Sequence, residues 1–389
     1  MRIAGPAYIV VAFLGRIPLA MSQMGTLILV STTTGSYALG GAAAGALAVA
    51  NAVGAPLAGN LADRIGQRPV VLVQSLAGAC GLLGLVYAAH QNAPATTAMA
   101  IAALVGFAMP QVGPLARVRW QPITRDTSDQ RRLIDAAFSY EGAADEASFV
   151  LGPALVGGLA VVADPGGALV AGAIMLAAFG SWFALHPTAE LTHQQSQHRV
   201  GGGVLFTAAF TVLIFAQLFV GMIFGGTQTG AAVLATAEGQ PGLAGLIHAT
   251  LGIGSVIAGL AVAGLPEHIG YEKRTLVAAL GLFVLSSPLL LVDSIGSLIA
   301  VVMLLGFAVA PYMISNFALA GHLVPPARVG AAMTMLAGAT GVGYALGSSV
   351  AGRLADHGGQ TPAFGVTVTA AGLALLLAVV FRKRLAAAS

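Results

Sequence analysis

Charge is what this chain has least of. Of its 389 residues only 8% are Asp, Glu, Lys or Arg, against 57% apolar, and the mean hydropathy is +0.88. Ionised groups keep a soluble surface wet, so this composition excludes a soluble globular domain. Cysteine is nearly absent: Cys80 stands alone inside an apolar run, and no internal disulfide is available. Phosphate-binding loops, zinc-ligand spacings, nucleophile elbows and basic aromatic patches are missing too. Gly201-Gly202-Gly203 has neither the lysine nor the helix context of an ATP site. Enzymatic chemistry, ATP hydrolysis, a resident metal or cofactor and nucleic-acid binding are therefore not expected. Glycine, in contrast, is abundant at 52 residues. It weakens soluble helices but suits membrane bundles, whose helices pack through small residues. An all-α membrane protein follows.

Cutting the sequence at polar and Gly/Pro breaks yields twelve spans, at roughly 8–30, 38–59, 69–89, 95–116, 134–162, 167–186, 204–226, 241–264, 275–292, 296–318, 328–351 and 362–381. The first span runs about 20 residues behind a lone Arg2, longer than a signal-peptide core, and is read as a retained helix. With both termini in the cytoplasm, all of the 17 Lys and Arg fall inside except Arg353, which faces out, and Arg16, which lies within the first span. This orientation is expected in an inner or plasma membrane. The stretch 187–203, with His193, Gln194, Gln195, Ser196, Gln197, His198 and Arg199, reads as a flexible cytoplasmic linker between residues 1–186 and 204–389. Its two histidines lack the partners and spacing of a metal site.

Between spans 2 and 3 lies Gly59-Asn60-Leu61-Ala62-Asp63-Arg64-Ile65-Gly66-Gln67-Arg68. It resembles the loop between helices 2 and 3 of the major facilitator superfamily of secondary transporters, G-x-L-x-D-R-x-G-x-R/K, with every fixed position filled. Gly59 allows two helices close approach, and Gly66 permits the backbone reversal. Asp63, at a helix end, calls for the positive N-terminus of another helix, and span 11 near Arg328 to Ala332 is the expected partner. Arg64 and Arg68 read as cytoplasmic anchors.

The motif echoes along the chain. Gly352 to Gln360, GRLADHGGQ, follows span 11 and keeps the Gly, Leu, Ala, Asp, Gly and Gln of Gly59 to Gln67, GNLADRIGQ. After span 8, Glu267-His268-Ile269-Gly270 repeats Asp63-Arg64-Ile65-Gly66 in weaker form, with Ala263 in place of the glycine. Spans 2, 8 and 11 are each the second helix of a triplet, as an inverted-repeat transporter places them. The degenerate copy leads us to expect the stronger gate contacts on the first-half side.

Ionisable groups inside the hydrocarbon each cost several kcal/mol unless paired or wetted, and so mark function. Here they are Arg16 in span 1 and Glu141, Asp145 and Glu146 in span 5. Two readings stand: a static tie between spans 1 and 5, or a proton-coupling and substrate-binding group in which acids outnumber the one base. Arg16 also suits an anionic substrate. Span 5 continues into Gly152-Pro153-Ala154-Leu155-Val156-Gly157-Gly158, similar to the G-P-x-x-G-G element of drug/proton antiporters but with one extra residue. Such antiporters carry an arginine in helix 4, which the predicted span 4 lacks. Gln23, Met24, Gln111, Gln217, Phe224, His248, Tyr312 and Asn316 are the candidate cavity-lining residues. The resemblance implies a twelve-helix transporter of two six-helix bundles, monomeric, in a lipid bilayer. It would export a small, partly hydrophobic molecule against protons by alternating access. Uptake of a sugar or organic anion is the alternative, and a non-transporting membrane sensor or assembly subunit a remote one.

Overall fold

A computed structural model describes residues 5–386 except 36, 163–164, 198–204, 241–242, 267–268 and 326–327. The described residues form helices and connecting turns, without a strand. In order these are α1 (Pro6–Thr34), α2 (Tyr37–Ile65), α3 (Gln67–His90), α4 (Ala95–Ala108), α5 (Val112–Ile123), α6 (Gln130–Val162), α7 (Pro165–Met175), α8 (Ser181–Leu185), α9 (Thr188–Gln197), α10 (Ala208–Ala237), α11 (Ala244–Val262), α12 (Tyr271–Ser286), α13 (Ile295–Leu323), α14 (Val329–Gly358) and α15 (Gln360–Ala386). A π turn, Leu176–Gly180, joins α7 to α8.

Among the described residues, ten helical stretches are long and apolar enough to cross a membrane. The apolar run Leu246–Val262 in α11 is shorter, and α6 is long but charged at Arg131, Arg132, Asp135, Glu141, Asp145 and Glu146. Counting these two gives the twelve spans expected. The chain forms two compact units. One comprises 1–130, 148–203 and 326–338, and the other 131–147, 204–325 and 339–389, so α6 and α14 each contribute to both.

Within each unit the helices meet backbone to backbone. Lipid tails are as apolar as leucine, so helix association relies on close packing. In the first unit a Cβ on Gly106 would run into the main chain of Leu47, its Cα at 2.9 Å. Around this contact Leu47, Leu82, Leu85, Val105, Met109 and Leu176 form a core. In the second, Gly343 presses on Leu218 in the same way, beside a core that includes Val220, Leu282, Leu305 and Phe364.

Span 4 shows how sequence sets local structure. Pro110 has no N–H to offer the carbonyl four residues back, and the helix breaks between α4 and α5. That carbonyl, on Gly106, accepts instead from Asn51 Nδ2 at 3.0 Å, and Asn51 Oδ1 accepts from Gln111 Nε2 at 2.9 Å. With the break repaired, the span resumes and runs to Ile123 rather than ending near residue 116. Arg117 and Arg119, expected in a loop, are therefore buried.

Arg119 organises one end of the first unit. Its Nε donates to Gln67 Oε1 at 2.8 Å, and its Nη1 donates to the Phe183 carbonyl at 2.9 Å and Thr188 Oγ1 at 3.0 Å. The guanidinium lies 3.6 Å above the Phe183 ring. Tyr8 Oη donates to the Ala116 carbonyl at 3.1 Å and packs edge-on against Trp120. This knot seats α9, whose Thr188 and Ala189 are buried. The first part of the expected flexible linker is thus a docked helix. Arg68 closes its rim through an exposed ion pair with Glu190 at 2.6 Å. The side chains of residues 193–197, and His198 and Arg199 entirely, lie outside the described residues.

Candidate functional site

The turn after α2 is built around Gly66, whose φ of 94° is a conformation side-chained residues avoid. The turn presents Asp63 to the start of α14. Its Oδ1 accepts the Gly330 N–H at 3.0 Å and its Oδ2 the Ala331 N–H at 2.8 Å. One carboxylate thus satisfies two of the donors that a helix N-terminus leaves open, and its charge meets the positive end of the dipole. Arg328 Nη1 donates to Asn60 Oδ1 at 2.9 Å alongside. The two helices come this close because Gly59 has no side chain: a Cβ there would collide with Thr334 Oγ1 and lie 2.8 Å from the Gly330 carbonyl. Arg64 is exposed.

The second unit carries a clamp of different chemistry. Asp135, on the second turn of α6, receives a short hydrogen bond from Tyr271 Oη and one of 3.3 Å from Arg274 Nη1. Arg274 also donates to the carbonyls of Ile269, at 2.9 Å, and Pro266, at 3.2 Å. The His322 ring lies 5.3 Å from that of Tyr271, and the exposed Arg131 is 5.8 Å from it. Asp135, Tyr271 and Arg274 are all buried. The second unit thus has a buried clamp of its own, beside the one on the first-half side where the stronger gate contacts were expected. The polarity is also the reverse of that expected, because the acid is on the helix and the segment preceding and opening α12 supplies the donors. Glu267 and His268, read as the echo of Asp63 and Arg64, lie outside the described residues.

The intramembrane charges divide between the units. Arg16, in the first, is buried and its Nε donates to the Ala12 carbonyl at 3.0 Å. Glu141, Asp145 and Glu146 are in the second. Glu141 is fully buried, Asp145 half-buried, and Glu146 only 8% exposed. Gly142 lies against Ile314 of α13, and Ala143 is close to Gly259 of α11. Further along α6, Gly152 abuts Ala20 and Met21 of α1, an added Cβ falling 3.1 Å from the Met21 nitrogen. Pro153 sits within a helix that continues past it. Gly158 faces open space, and the surroundings of Gly157 are outside the description.

Of the residues expected to line a cavity, Gln111 is bound to Asn51, Gln23 is half-buried and Met24 is exposed. Gln217 is fully buried, its Oε1 accepting from Thr340 Oγ1 at 3.2 Å while its Nε2 has no acceptor. Phe224 meets His248 edge-on at 6.2 Å, and Gln228 accepts a short hydrogen bond from Tyr344. Tyr312 and Asn316 are buried one turn apart on α13. Sequence reasoning missed Asp135, Tyr271, Arg274, Arg119 and Asn51. The pseudo-repeat was the one signal for the first three, since it pairs the start of span 5 with the loop after span 8.

A family profile for the Major Facilitator Superfamily matches residues 213–389. No curated protein matches the sequence. Among solved structures, the human organic anion transporter MFSD10 shares 18% identity at a TM-score of 0.70, over 96% of this chain and 98% of its own. The proton:xylose symporter XylE shares 14% identity at a TM-score of 0.73, covering 97% and 95%. A bacterial homologue of the iron transporter ferroportin, in an outward-facing state with soaked iron, shares 13% at 0.72, over 98% and 99%.

Proposed function

We propose that the chain is a transporter of the major facilitator superfamily, whose profile matches its residues 213–389, and that it exports a small, partly hydrophobic compound in exchange for protons. The observation that carries proton coupling is Glu146, a carboxyl inside a membrane span, 8% exposed and without a hydrogen bond or ion pair among the described residues. An ionised carboxylate so placed costs several kcal/mol, so the group calls for a proton or a cationic partner. A partly hydrophobic cargo suits the second unit, where the half-buried Phe224 packs edge-on against His248 and Met222 supplies an adaptable surface. The export direction follows from the similarity of residues 152–158 to the helix-5 element of efflux members. In this reading Asp63 is a latch: α14 is held while its two amides are capped and released when the cap opens, so Asp63→Asn should lose transport at unchanged expression.

Gln217 favours a second reading, because its unused N–H suits a hydroxylated solute. XylE is a proton:xylose symporter, and uptake of a sugar by the present chain would use the same groups. Inside-out and right-side-out vesicles carrying an imposed pH gradient separate the two. Export predicts accumulation of a hydrophobic amine probe in the inside-out vesicles together with proton release, abolished in Glu146→Gln. Accumulation of xylose in the right-side-out vesicles supports uptake instead. Probe flux without proton movement overturns the coupling.

A further inference from the structure

Three acids crowd one stretch of α6, and the packing separates them. Gly142 faces α13, where an added Cβ would lie 2.7 Å from Ile314 Cγ1, while Ala143 faces α11, 3.7 Å from a Cβ built on Gly259. With successive helical residues turned by about 100°, Glu146 points about 40° from Gly142 towards Ala143, into the junction of α6, α11 and α13. Asp145 and Glu141 turn to the other side of Gly142, by about 60° and about 100°. Glu146 is therefore the one of the three that turns to the α11–α13 side of the second unit.

Something there awaits it. The clamp at Asp135 joins the start of α6 to the residues following α11, so these two helices run antiparallel. One turn from the Ala143–Gly259 contact, at the level of Glu146, α11 carries Ser255. Its Oγ is fully buried and has no hydrogen-bond partner. Two turns further along the same stripe comes His248, whose Nδ1 is also buried and unbonded. Charged and titratable groups on the surrounding elements are Arg16 on α1, which packs on α6 at Gly152, His248 on α11, Tyr312 and His322 on α13, and Tyr271, Glu272, Lys273 and Arg274 on α12. On α6 itself they are Arg131, Arg132, Asp135, Tyr140, Glu141 and Asp145. Arg274 is held by Asp135, about 16 Å of helix from Glu146, and does not neutralise it.

We propose that Glu146, Ser255 and His248 form a proton site and path within the second unit. Glu146 is the carrier, and Ser255 accepts the hydrogen bond of its protonated form. His248 delivers protons from the end of the bundle opposite Asp135. In each transfer one N–H or O–H bond forms as another breaks, with water spanning the gap of about 10 Å between His248 and Ser255. The inference rests on the proton-coupled reading and makes it specific to one of three acids.

Infrared spectroscopy of the purified protein tests it without a transported substrate. A carbonyl band of protonated carboxyl should titrate in the wild type, vanish in Glu146→Gln, persist in Asp145→Asn and shift in frequency in Ser255→Ala. In His248→Leu it should keep its equilibrium amplitude but respond about tenfold more slowly to a pH jump. A band that survives Glu146→Gln and vanishes in Asp145→Asn overturns the carrier. An unmoved band in Ser255→Ala, or an unchanged rate in His248→Leu, overturns that residue's part. Should Glu146→Gln fail to fold, dicyclohexylcarbodiimide, which reacts with buried protonated carboxyls, labels residue 146 in the wild type; labelling confined to 141 or 145 refutes the carrier. A titrating Glu146 without any substrate flux leaves this site standing and removes the transport reading. Proton-coupled flux without a titrating Glu146 does the opposite.

Discussion

Removing the charge of Asp63 should loosen the start of α14 by an amount that the geometry sets. Each carboxylate oxygen takes one main-chain N–H, at 3.0 and 2.8 Å. Hydrogen bonds to a charged group contribute about 1.5–3 kcal/mol each, and a negative charge at a helix N-terminus adds about 0.3–1 kcal/mol. Asn keeps one acceptor and turns an NH2 towards the other N–H, so Asp63→Asn gives up about 2–3 kcal/mol. At about 1.4 kcal/mol per tenfold, the latch opens about 25 to 150 times more often. Thr334 reports the opening, because it is 1% exposed and packed on Gly59. With Cys80→Ser removing the native thiol, maleimide labelling of Thr334→Cys should accelerate by that factor when Asp63→Asn is added. Gly330→Ala, which pushes a methyl into the Asp63 carboxylate, should act in the same direction. A labelling rate within about threefold of the parent, where only weak interactions were lost, refutes the latch.

Breaking the second clamp by Asp135→Asn leaves Arg274 with its two carbonyls but no charge partner. The loss of about 3 kcal/mol should lower the melting temperature by about 4 °C, and a fall of less than about 1 °C excludes a structural clamp. Arg68→Ala removes an ion pair between half-exposed side chains and should change stability by less than about 1 kcal/mol, the change shrinking further in high salt. His186, outside the spans, is lowered below its ordinary value of 6.5 by burial and then by the Arg119 charge, and its Nδ1 accepts from Thr188. As pH falls through 6.5 the unfolded chain binds a proton that the folded chain refuses, so stability declines on the acid side; His186→Gln should flatten that part of a melting-temperature profile, while identical profiles contradict the assignment.

How far these features were legible before the structure depended on how local their causes were. The 59–68 turn could be read because its geometry depends on neighbouring residues: a glycine for the approach, a glycine for the reversal, an acid between them. Helix α6 was visible as an acidic span for the same reason. The end of span 4 was not, because the break at Pro110 is repaired by Asn51, far away in sequence, and nothing near residue 116 announces that the helix resumes. Arg117 and Arg119 consequently looked like loop anchors. The Asp135 clamp was hidden by its reversed polarity, since a search for an acid after span 8 stops at Glu267. Helix α9 was hidden by its composition: a polar, Gln-rich stretch looks unstructured until the Arg119 knot beneath its first turn is known.

The two clamps also respond differently to sequence change. Asp63 grips main-chain amides, which every residue except proline supplies, so the first turn of α14 is free to vary around it provided Gly330 stays small. The Asp135 clamp is a lock with cut teeth: hydroxyl, guanidinium and carboxylate each fit the next, and no one of them can drift without the others. A lineage of such proteins can therefore redesign the start of α14 one residue at a time, whereas any revision of the α6–α12 junction has to arrive as a coordinated set.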